Sequence, residues 1–358
     1  MNPLFAGLMK EAAHLTRNGR LADATAAIQR ALRQGTDLQP AAPDVPVLSS
    51  PAADVIDIEA RVVDVETAKP TGPHTAEQWT KGSFTHQGRT VDYKLFVPAG
   101  GASQSAMPRP LIVMLHGCTQ DPEDFAAGTR MNEHARECGA LVLYPEQAQR
   151  ANGQKCWNWF KAQHQQRGRG EPAVLAALTL DIAVRYQADR SRIYVAGLSA
   201  GGAMAHVLGN CYPDIFAAVG VHSGLPHRAA NDMMSALSAM RAGASAPLPD
   251  PGSVSPPVIV FHGDADTTVH ASNGIAILAG ARPCEAIEGR TPGGTRYTRT
   301  LYAASPGRGD AEHWRVHGLG HAWSGGSTQG SYTAPHGVDA SGEMIRFFLT
   351  HRLGPLAQ

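Results

Sequence analysis

The segment RIYVAGLSAGGAMA holds a serine, Ser199, in a setting that fits nucleophilic catalysis. An apolar strand is predicted up to Ala196, and the Ala- and Met-rich stretch after Gly201 is compatible with a helix. A serine between Gly197 and Gly201 can occupy a tight strand-to-helix turn, because flanking residues without a Cβ let neighbouring backbone pass close by. The alternative is the glycine-rich helix start of a nucleotide-binding fold, but neither G-x-G-x-x-G nor a Walker pattern is formed here. We therefore predict that Ser199 is a nucleophile.

A serine hydroxyl is a weak nucleophile at neutral pH, so Ser199 needs a general base within hydrogen-bond reach and an acid that orients this base. When the serine occupies such a turn, the acid and then the histidine usually follow it along the chain. VIVFHGDADTTV supplies Asp264 and Asp266, and GLGHAWSGG supplies His321. We predict Asp266 as the acid because it holds the usual position, and we expect Asp264 to cap or shape the turn.

His321 is the predicted general base, since it lies in a glycine-flanked loop close to the end of the chain, and His317 is the alternative. His313, His317 and His321 also recur at four-residue steps, which on a helix would suggest metal ligands. Gly318 and Gly320 interrupt such a helix. We therefore predict that the chain has no metal site and requires no cofactor.

Acyl transfer also needs backbone N–H donors for the developing oxyanion, usually the amide after the nucleophile and one from the loop after an early strand. Ala200 supplies the first amide. In LIVMLHGCTQ, Cys118 follows a predicted buried strand and is the favoured second donor. His116 is a candidate for substrate binding, although we expect its side chain to order this turn rather than to transfer protons. The alternative without function is a simple turn at His116 and Gly117.

The elements that must position these residues are short apolar segments, which predict a mostly parallel sheet with crossover helices. They cover residues 89–97, 111–115, 140–144, 192–196, 217–221 and 258–261, and a terminal amphipathic helix is predicted at 343–353. Ligands bind such sheets beyond the carboxyl ends of the strands. Because His116, Ser199, His262 and Asp266 all come just after predicted strands, we expect them to lie along one rim.

Six segments of the chain, taken in order, resemble the esterase family of polyhydroxybutyrate (PHB) depolymerases: HGCTQ, YPEQ, CWNWF, GLSAGGAMA, HGDADTTV and GHAWSGG. The resemblance spans about residues 79–353. It implies an α/β-hydrolase fold with a mostly parallel central sheet flanked by helices, and a triad of Ser199, Asp266 and His321. It also implies that short-chain acyl or hydroxyacid esters are hydrolysed through an acyl-enzyme. In related branches of the family the substrates are feruloyl or acetyl esters of plant polysaccharide.

Five cysteines show no C-x-x-C pair, so a zinc knuckle or a thioredoxin-like motif is not supported. Cys118 borders the predicted oxyanion loop and Cys156 opens the aromatic segment CWNWF, so a disulfide between them would rigidify the cleft. Spacing alone does not settle the pairing. Cys211 with Cys284 is a second candidate pair, and Cys138 is expected to be free.

Trp157 and Trp323 are predicted substrate contacts, and Trp159 is a further candidate of the same kind. Trp323 is the best placed, because it lies two residues beyond His321. The alternative for all three is packing in the core, where large aromatic residues are more often found.

The first 35 residues have apolar positions at steps of three and four with a break at Asn18-Gly19, which predicts a helical hairpin. Residues 36–75 are rich in Pro and Ala and read as an extended linker, so the catalytic domain is predicted to span 76–358. The hairpin either packs on its own domain, self-associates, or docks a partner protein or polymer. If it docks a partner, the hydrolase could be a vestigial scaffold, and the ordered Ser, Asp and His argue against this.

Charge and hydropathy exclude two classes of partner. Lys+Arg and Asp+Glu are equal at 31 each, so the composition does not indicate a nucleic-acid-binding surface. No window approaches the roughly 18 apolar residues that a transmembrane helix needs. The amino terminus does not resemble a secretory signal, which favours a cytoplasmic location, whereas the family resemblance implies an extracellular one. We therefore expect a small ester or a polyester oligomer as the partner of the site.

Overall fold

The computed structural model describes residues 76–100, 108–244 and 254–354. The predicted hairpin at 1–35 and the predicted linker at 36–75 lie outside these ranges. None of the helices within them is both long enough and apolar enough to cross a membrane.

Ten strands form one mixed sheet: β1 (Gln78–His86), β2 (Arg89–Val97), β3 (Leu111–Leu115), β4 (Leu141–Glu146), β5 (Ile193–Leu198), β6 (Ala218–His222), β7 (Val258–Gly263), β8 (Arg282–Arg290), β9 (Arg296–Ala303) and β10 (Ala311–Val316). Their spatial order is β1-β2-β4-β3-β5-β6-β7-β10-β9-β8. Strands β4, β3, β5, β6, β7 and β10 run parallel. The hairpins β1–β2 and β8–β9 extend this parallel centre with antiparallel strands at its two edges.

Helices cover both faces of the sheet: α1 (Pro122–Thr129), α2 (Met131–Cys138), α3 (Gly170–Arg185), α4 (Ala200–Cys211), α5 (Met233–Ala242), α6 (Ser272–Ile277) and α7 (Ala340–Leu349). One apolar cluster joins the sheet to α3, α4, α5 and α6, and the other joins it to α1, α2 and α7. Strand β3 shows why both faces are covered. Leu111, Val113 and Leu115 enter the first cluster, whereas Ile112 and Met114 enter the second. A short second sheet pairs β11 (Trp323–Ser324) with β12 (Thr333–Ala334).

The predicted strands at 89–97 and 111–115 are confirmed, and the other four lie within two residues of β4, β5, β6 and β7. The terminal helix begins at Ala340, three residues earlier than predicted, because the Asp339 carboxylate caps it by accepting the Gly342 N–H. It ends at Leu349 rather than at 353. The hairpin β8–β9 was not predicted, since β8 is mostly exposed and has no regular apolar alternation.

The order of the strands creates a switch point between β3 and β5. From β3 the chain moves to β4 on one side, and it then returns across β3 to β5 on the other side. Connections therefore leave in opposite directions at the carboxyl ends of β3 and β5, which opens a crevice there. Cys118 follows β3 and Ser199 follows β5, so the fold brings both to this crevice.

The turn from β5 into α4 is built on backbone contact. Ser199 has φ 58° and ψ −119°, a left-handed conformation that is costly for a residue with a side chain. A Cβ on Gly197 would overlap the Leu115 carbonyl oxygen, and a Cβ on Gly201 would overlap the carbonyl oxygens of Leu115 and His116. Glycine is therefore required on both sides of Ser199 for the end of β3 to lie against this turn.

Gly201→Ala tests this packing. The added Cβ would meet backbone carbonyls, which cannot rotate away as a side chain can, so we expect the free energy of unfolding to fall by about 3 kcal/mol. Gly153→Ala is the matched control, because a Cβ there meets nothing within 4 Å. Denaturant unfolding measures both variants, and a Gly201→Ala protein as stable as the control would contradict the packing.

Candidate active site

The three predicted catalytic residues lie in the loops that follow three strands of the parallel centre. Ser199 follows β5, Asp266 follows β7, and His321 lies in the loop after β10. Ser199 is only 8% exposed, and its backbone N–H donates to the His222 carbonyl at 2.9 Å. The nucleophile candidate is therefore held by the neighbouring strand β6 as well as by its own turn.

Asp266 and His321 form a direct carboxylate–imidazole hydrogen bond. Asp266 Oδ2 lies 2.7 Å from His321 Nδ1, and Asp266 Oδ1 accepts the amides of Thr268 and Val269 at 2.9 and 2.8 Å. His262 Nε2 lies 3.5 Å from Asp266 Oδ2. Burial alone would raise the pKa of the Asp266 carboxyl, but His262, His321 and the Val269 amide hold this pKa well below its ordinary range. Asp266 is therefore an ionised, immobile acceptor.

This bond sets the chemistry that His321 can perform. An ionised Asp266 can only accept, so Nδ1 of His321 carries the hydrogen that is donated to it. In the neutral ring Nε2 is then the free acceptor, which is the atom a general base uses. His321 is partly buried, with 12% of its side chain exposed.

Asp264, the alternative acid, binds the alternative base instead. Asp264 Oδ2 lies 2.7 Å from His317 Nδ1, and Asp264 Oδ1 accepts the Gly318 N–H at 2.7 Å. His317 Nε2 lies 2.9 Å from Thr298 Oγ1 on β9. This second pair fastens the start of the His321 loop to the loop that bears Asp266, in agreement with the expectation that Asp264 shapes the turn.

His222 is a residue that the sequence analysis missed. Its carbonyl accepts the Ser199 N–H, and its ring nitrogen Nε2 accepts the Ser324 N–H at 2.9 Å. The ring is fully buried and stacks on Phe261 and Trp323, at 5.8 and 5.1 Å between centroids. His222 therefore links the nucleophile turn to the loop just beyond His321. The only sequence signal was its position directly after a buried strand.

Two backbone amides are available next to the nucleophile turn. Among the described residues, no protein acceptor binds the N–H of Cys118 or that of Ala200. The neighbouring Gly117 N–H, in contrast, is already bound to Gln120 Oε1 at 2.9 Å. The two predicted oxyanion donors are thus among the amides without a protein acceptor, and they lie on the two sides of the β3–β5 switch point.

The Cys118–Cys156 disulfide is confirmed, and it closes a loop with a sequence separation of 38 residues. It ties the loop after β3 to the aromatic segment CWNWF. Cys211 and Cys284 are free thiols, so the second candidate pair does not form, and Cys138 is free as expected.

The residues that we predicted to contact a substrate are buried in this structure. Trp157, Trp159 and Trp323 are 0%, 4% and 1% exposed, because all three indoles pack within the apolar clusters. Trp323 Nε1 donates to Ser341 Oγ at 3.1 Å. His116 is 1% exposed, and its Nδ1 lies 2.7 Å from the Gly117 carbonyl oxygen. Trp157, Trp323 and His116 therefore pack in the interior of this structure, and their contact with a substrate stays a prediction.

An exposed aromatic residue that the sequence analysis missed lies beside the loop of Cys118. Tyr332 is 47% exposed and has a positive φ of 52°. Its hydroxyl lies 3.2 Å from Thr119 Oγ1, and its carbonyl accepts the Trp323 N–H at 2.7 Å. Tyr332 therefore spans the loop of Cys118 and the loop of His321. Its sequence context, GSYTA, carries no motif that marks this position.

The three histidines at four-residue steps do not converge. His313 is buried on β10, whereas His317 and His321 bind two different carboxylates. Within the described ranges, no group of three His, Cys, Asp or Glu side chains could hold a metal ion.

Comparison with known proteins gives one family and several relatives. A family model described as "Esterase PHB depolymerase" matches residues 91–280, more than half of the chain. Poly(3-hydroxyalkanoate) depolymerase C of Paucimonas lemoignei is 30% identical over 239 residues, which cover 61% of this chain and 56% of that protein. Feruloyl esterase B of Neurospora crassa is 34% identical over 119 residues, which cover 33% of this chain and 39% of that protein. This chain therefore spans only part of the length of each relative.

Among solved structures, an acetyl xylan esterase from Aspergillus awamori superposes with a TM-score of 0.54 at 21% identity. The match covers 69% of this chain and 94% of that chain. This likeness concerns the fold, and together with the mixed sheet and its two helical layers it confirms the expected α/β-hydrolase architecture.

Labelling by a fluorophosphonate, which reacts with activated serines, separates the two carboxylate–histidine pairs. We expect the reagent to modify Ser199, and we expect Asp266→Asn to slow labelling by about 10³- to 10⁴-fold, because an amide does not fix the required tautomer of His321. The matched variant Asp264→Asn should slow it only several-fold. The labelling rates are measured by intact mass spectrometry. If Asp264→Asn slowed labelling more than Asp266→Asn, the acid would be Asp264.

Proposed function

The chain belongs to the esterase PHB depolymerase family, and from its site we propose that it is a serine esterase with Ser199 as the nucleophile. One observation carries this proposal. Asp266 holds His321 by a 2.7 Å hydrogen bond at the same rim where Ser199 occupies a strained strand-to-helix turn. Strain of this kind persists only where the surrounding structure enforces it, and it is concentrated at functional sites.

In the proposed reaction Ser199 Oγ attacks the ester carbonyl carbon while His321 Nε2 takes the hydroxyl proton. The tetrahedral oxyanion that results accepts hydrogen bonds from the amides of Cys118 and Ala200, which have no other protein acceptor among the described residues. The C–O bond to the alcohol breaks, and the alcohol leaves with the proton from His321. The acyl group remains on Ser199.

Water then completes the cycle. His321 removes a proton from a water molecule, whose oxygen attacks the acyl carbon, and a second oxyanion forms in the same place. The bond to Ser199 Oγ breaks, and His321 returns the proton to this oxygen, so that the free acid leaves. Throughout, ionised Asp266 stabilises the imidazolium form of His321 without taking its proton.

For the substrate we propose esters of short hydroxyacids, including soluble oligomers of hydroxybutyrate. The support is the family together with the similarity to a poly(3-hydroxyalkanoate) depolymerase over 61% of this chain. A second candidate is a feruloyl or acetyl ester of carbohydrate, which the 34% identity to a feruloyl esterase supports over a shorter segment.

Ser199→Ala tests the function. We expect kcat/KM for p-nitrophenyl butyrate to fall by about 10⁴-fold or more. Without the Ser199 hydroxyl, water must attack the ester directly, and only the oxyanion donors and the binding contacts remain to assist it. Ser83→Ala, an exposed serine on β1, is the matched control and should keep full activity. A wild type without esterase activity would favour a vestigial scaffold, and an active Ser199→Ala variant would remove Ser199 from the mechanism.

The same assay ranks the substrate classes. We expect a higher kcat/KM for hydroxybutyrate oligomers than for methyl ferulate or acetylated xylo-oligosaccharide. The reverse ranking would replace the hydroxyacid substrate by the carbohydrate ester and leave the esterase mechanism in place.

We also propose that any self-association runs through residues 1–35. The support is the apolar spacing of Leu4, Leu8, Leu15 and Leu32 in the sequence. Removal of residues 1–75 should then leave esterase activity unchanged and lower the molar mass measured by light scattering during size-exclusion chromatography. An unchanged molar mass would contradict assembly through this segment.

A further inference from the structure

The peptide between Gly117 and Cys118 carries the N–H that is the oxyanion donor of the proposed function. The peptide bonds of the described residues are all trans, and in a trans peptide the C=O and the N–H point in opposite directions. Any group that fixes the Gly117 carbonyl therefore also fixes the direction of the Cys118 N–H. His116 Nδ1 lies 2.7 Å from this carbonyl oxygen.

The second ring nitrogen determines that His116 is the donor in this contact. The Gln147 N–H donates to His116 Nε2 at 3.1 Å, so Nε2 carries no hydrogen and Nδ1 must carry it. Burial lowers the pKa of His116 to about 4, although the bond to Gly117 acts in the opposite direction. The ring is therefore neutral near pH 7 and donates to Gly117 in one fixed tautomer.

The side chain of Gln147 is itself held by two hydrogen bonds. Its side-chain amide donates to Glu171 Oε1 at 2.8 Å and to the Cys156 carbonyl at 3.0 Å. Cys156 is bonded through its sulfur to Cys118. Gln147 is thus connected to Cys118 in two ways. Its side chain binds Cys156, which forms the disulfide with Cys118, and its backbone N–H binds His116, which binds the Gly117 carbonyl.

Glu171 is a buried carboxylate, 4% exposed, that also accepts the Asn158 N–H at 2.7 Å and Asn158 Nδ2 at 2.6 Å. His164 Nδ1 lies 3.5 Å from it. Burial alone would raise the pKa of Glu171, but contacts with His164, Asn158 and Gln147 hold it below the ordinary value. A buried charge is weak evidence for stability, because its desolvation cost offsets most of the gain, so its role here is better explained by the geometry that it imposes.

We propose that Gln147, anchored by Glu171, is the positioning residue of the oxyanion hole. It holds His116, and His116 aims the Cys118 N–H at the oxyanion. The hydrogen bond to the Gly117 carbonyl also polarises the peptide and strengthens its N–H as a donor. This inference rests on the proposed esterase function, and it concerns the transition state rather than the binding of substrate.

Gln147→Leu is the direct test, since it removes both side-chain donors and keeps the backbone N–H that binds His116. We expect kcat on p-nitrophenyl butyrate to fall by about 10- to 100-fold, less than or similar to the loss of a whole oxyanion donor, while KM stays within about twofold. The inhibition constant of a boronic acid, whose adduct with Ser199 places an oxygen in the oxyanion hole, should rise by a similar factor.

Gln165→Leu is the matched control. Gln165 is also a buried glutamine, and it donates to the carbonyls of Trp159 and Ala230 rather than to Glu171 and Cys156. We expect it to lower the melting temperature as Gln147→Leu does, but to leave kcat and boronic acid binding near the wild-type values. If both variants lose kcat and boronic acid affinity equally, the role of Gln147 is only structural and the inference is wrong.

Glu171→Gln provides a second variant, and it decides by the same two constants if Gln147→Leu does not fold. It keeps the shape of the side chain, but it turns an NH2 group toward the donors of Asn158 or Gln147. If the wild type is active and these variants keep its kcat and its inhibition constant for the boronic acid, the inference about Gln147 is wrong, and the proposed function stands. A wild type that neither hydrolyses esters nor binds the boronic acid would overturn the proposed function together with it.

Discussion

Backbone contact between the turn of Ser199 and the end of β3 is the constraint on which the rest of the site depends. Gly197 and Gly201 let the Leu115 carbonyl approach where any Cβ would overlap it. Because this contact leaves no room for side chains, the turn of Ser199 and the loop of Cys118 have a fixed relation. The strand order places the switch point at the same position, so one close approach forms both the turn and the crevice.

The loops around this point are tied to one another rather than only to their own strands. Asp264 binds His317, the Ala265 N–H donates to the Leu319 carbonyl at 3.1 Å, and the His222 ring accepts the Ser324 N–H. These bonds lie on both sides of His321 along the chain. The imidazole that faces Asp266 is therefore located by its neighbours before a substrate arrives, as preorganised catalysis requires.

The sequence allowed the parallel centre of the fold and the site candidates to be predicted for a physical reason. Strands covered on both faces are continuous apolar runs, and β3 is recognisable from its five residues alone. Ser199 was recognisable because its turn demands glycines at fixed spacing. The Cys118–Cys156 disulfide could be proposed because each cysteine borders a segment that must approach the cleft.

The rest depends on contacts between residues that are distant in sequence. The sequence around Trp157 and Trp323 would look the same whether they line a cleft or fill a core. Only the packing in the structure shows that they are 0% and 1% exposed. His222 and Glu171 look like ordinary polar residues until their partners, 102 and 13 residues away, are known. Strand β8 is largely exposed, so no apolar periodicity in the sequence indicates it.

Trapping the acyl-enzyme tests most directly whether Ser199 is the nucleophile. Wild-type protein is mixed with an activated ester of 3-hydroxybutyrate, quenched in acid within milliseconds, and digested for peptide mass spectrometry. We expect one hydroxybutyryl group on the peptide that contains Ser199, attached to this serine. Rapid hydrolysis of the ester with the acyl group on another residue, or with no acylated peptide under conditions that slow deacylation, would contradict it.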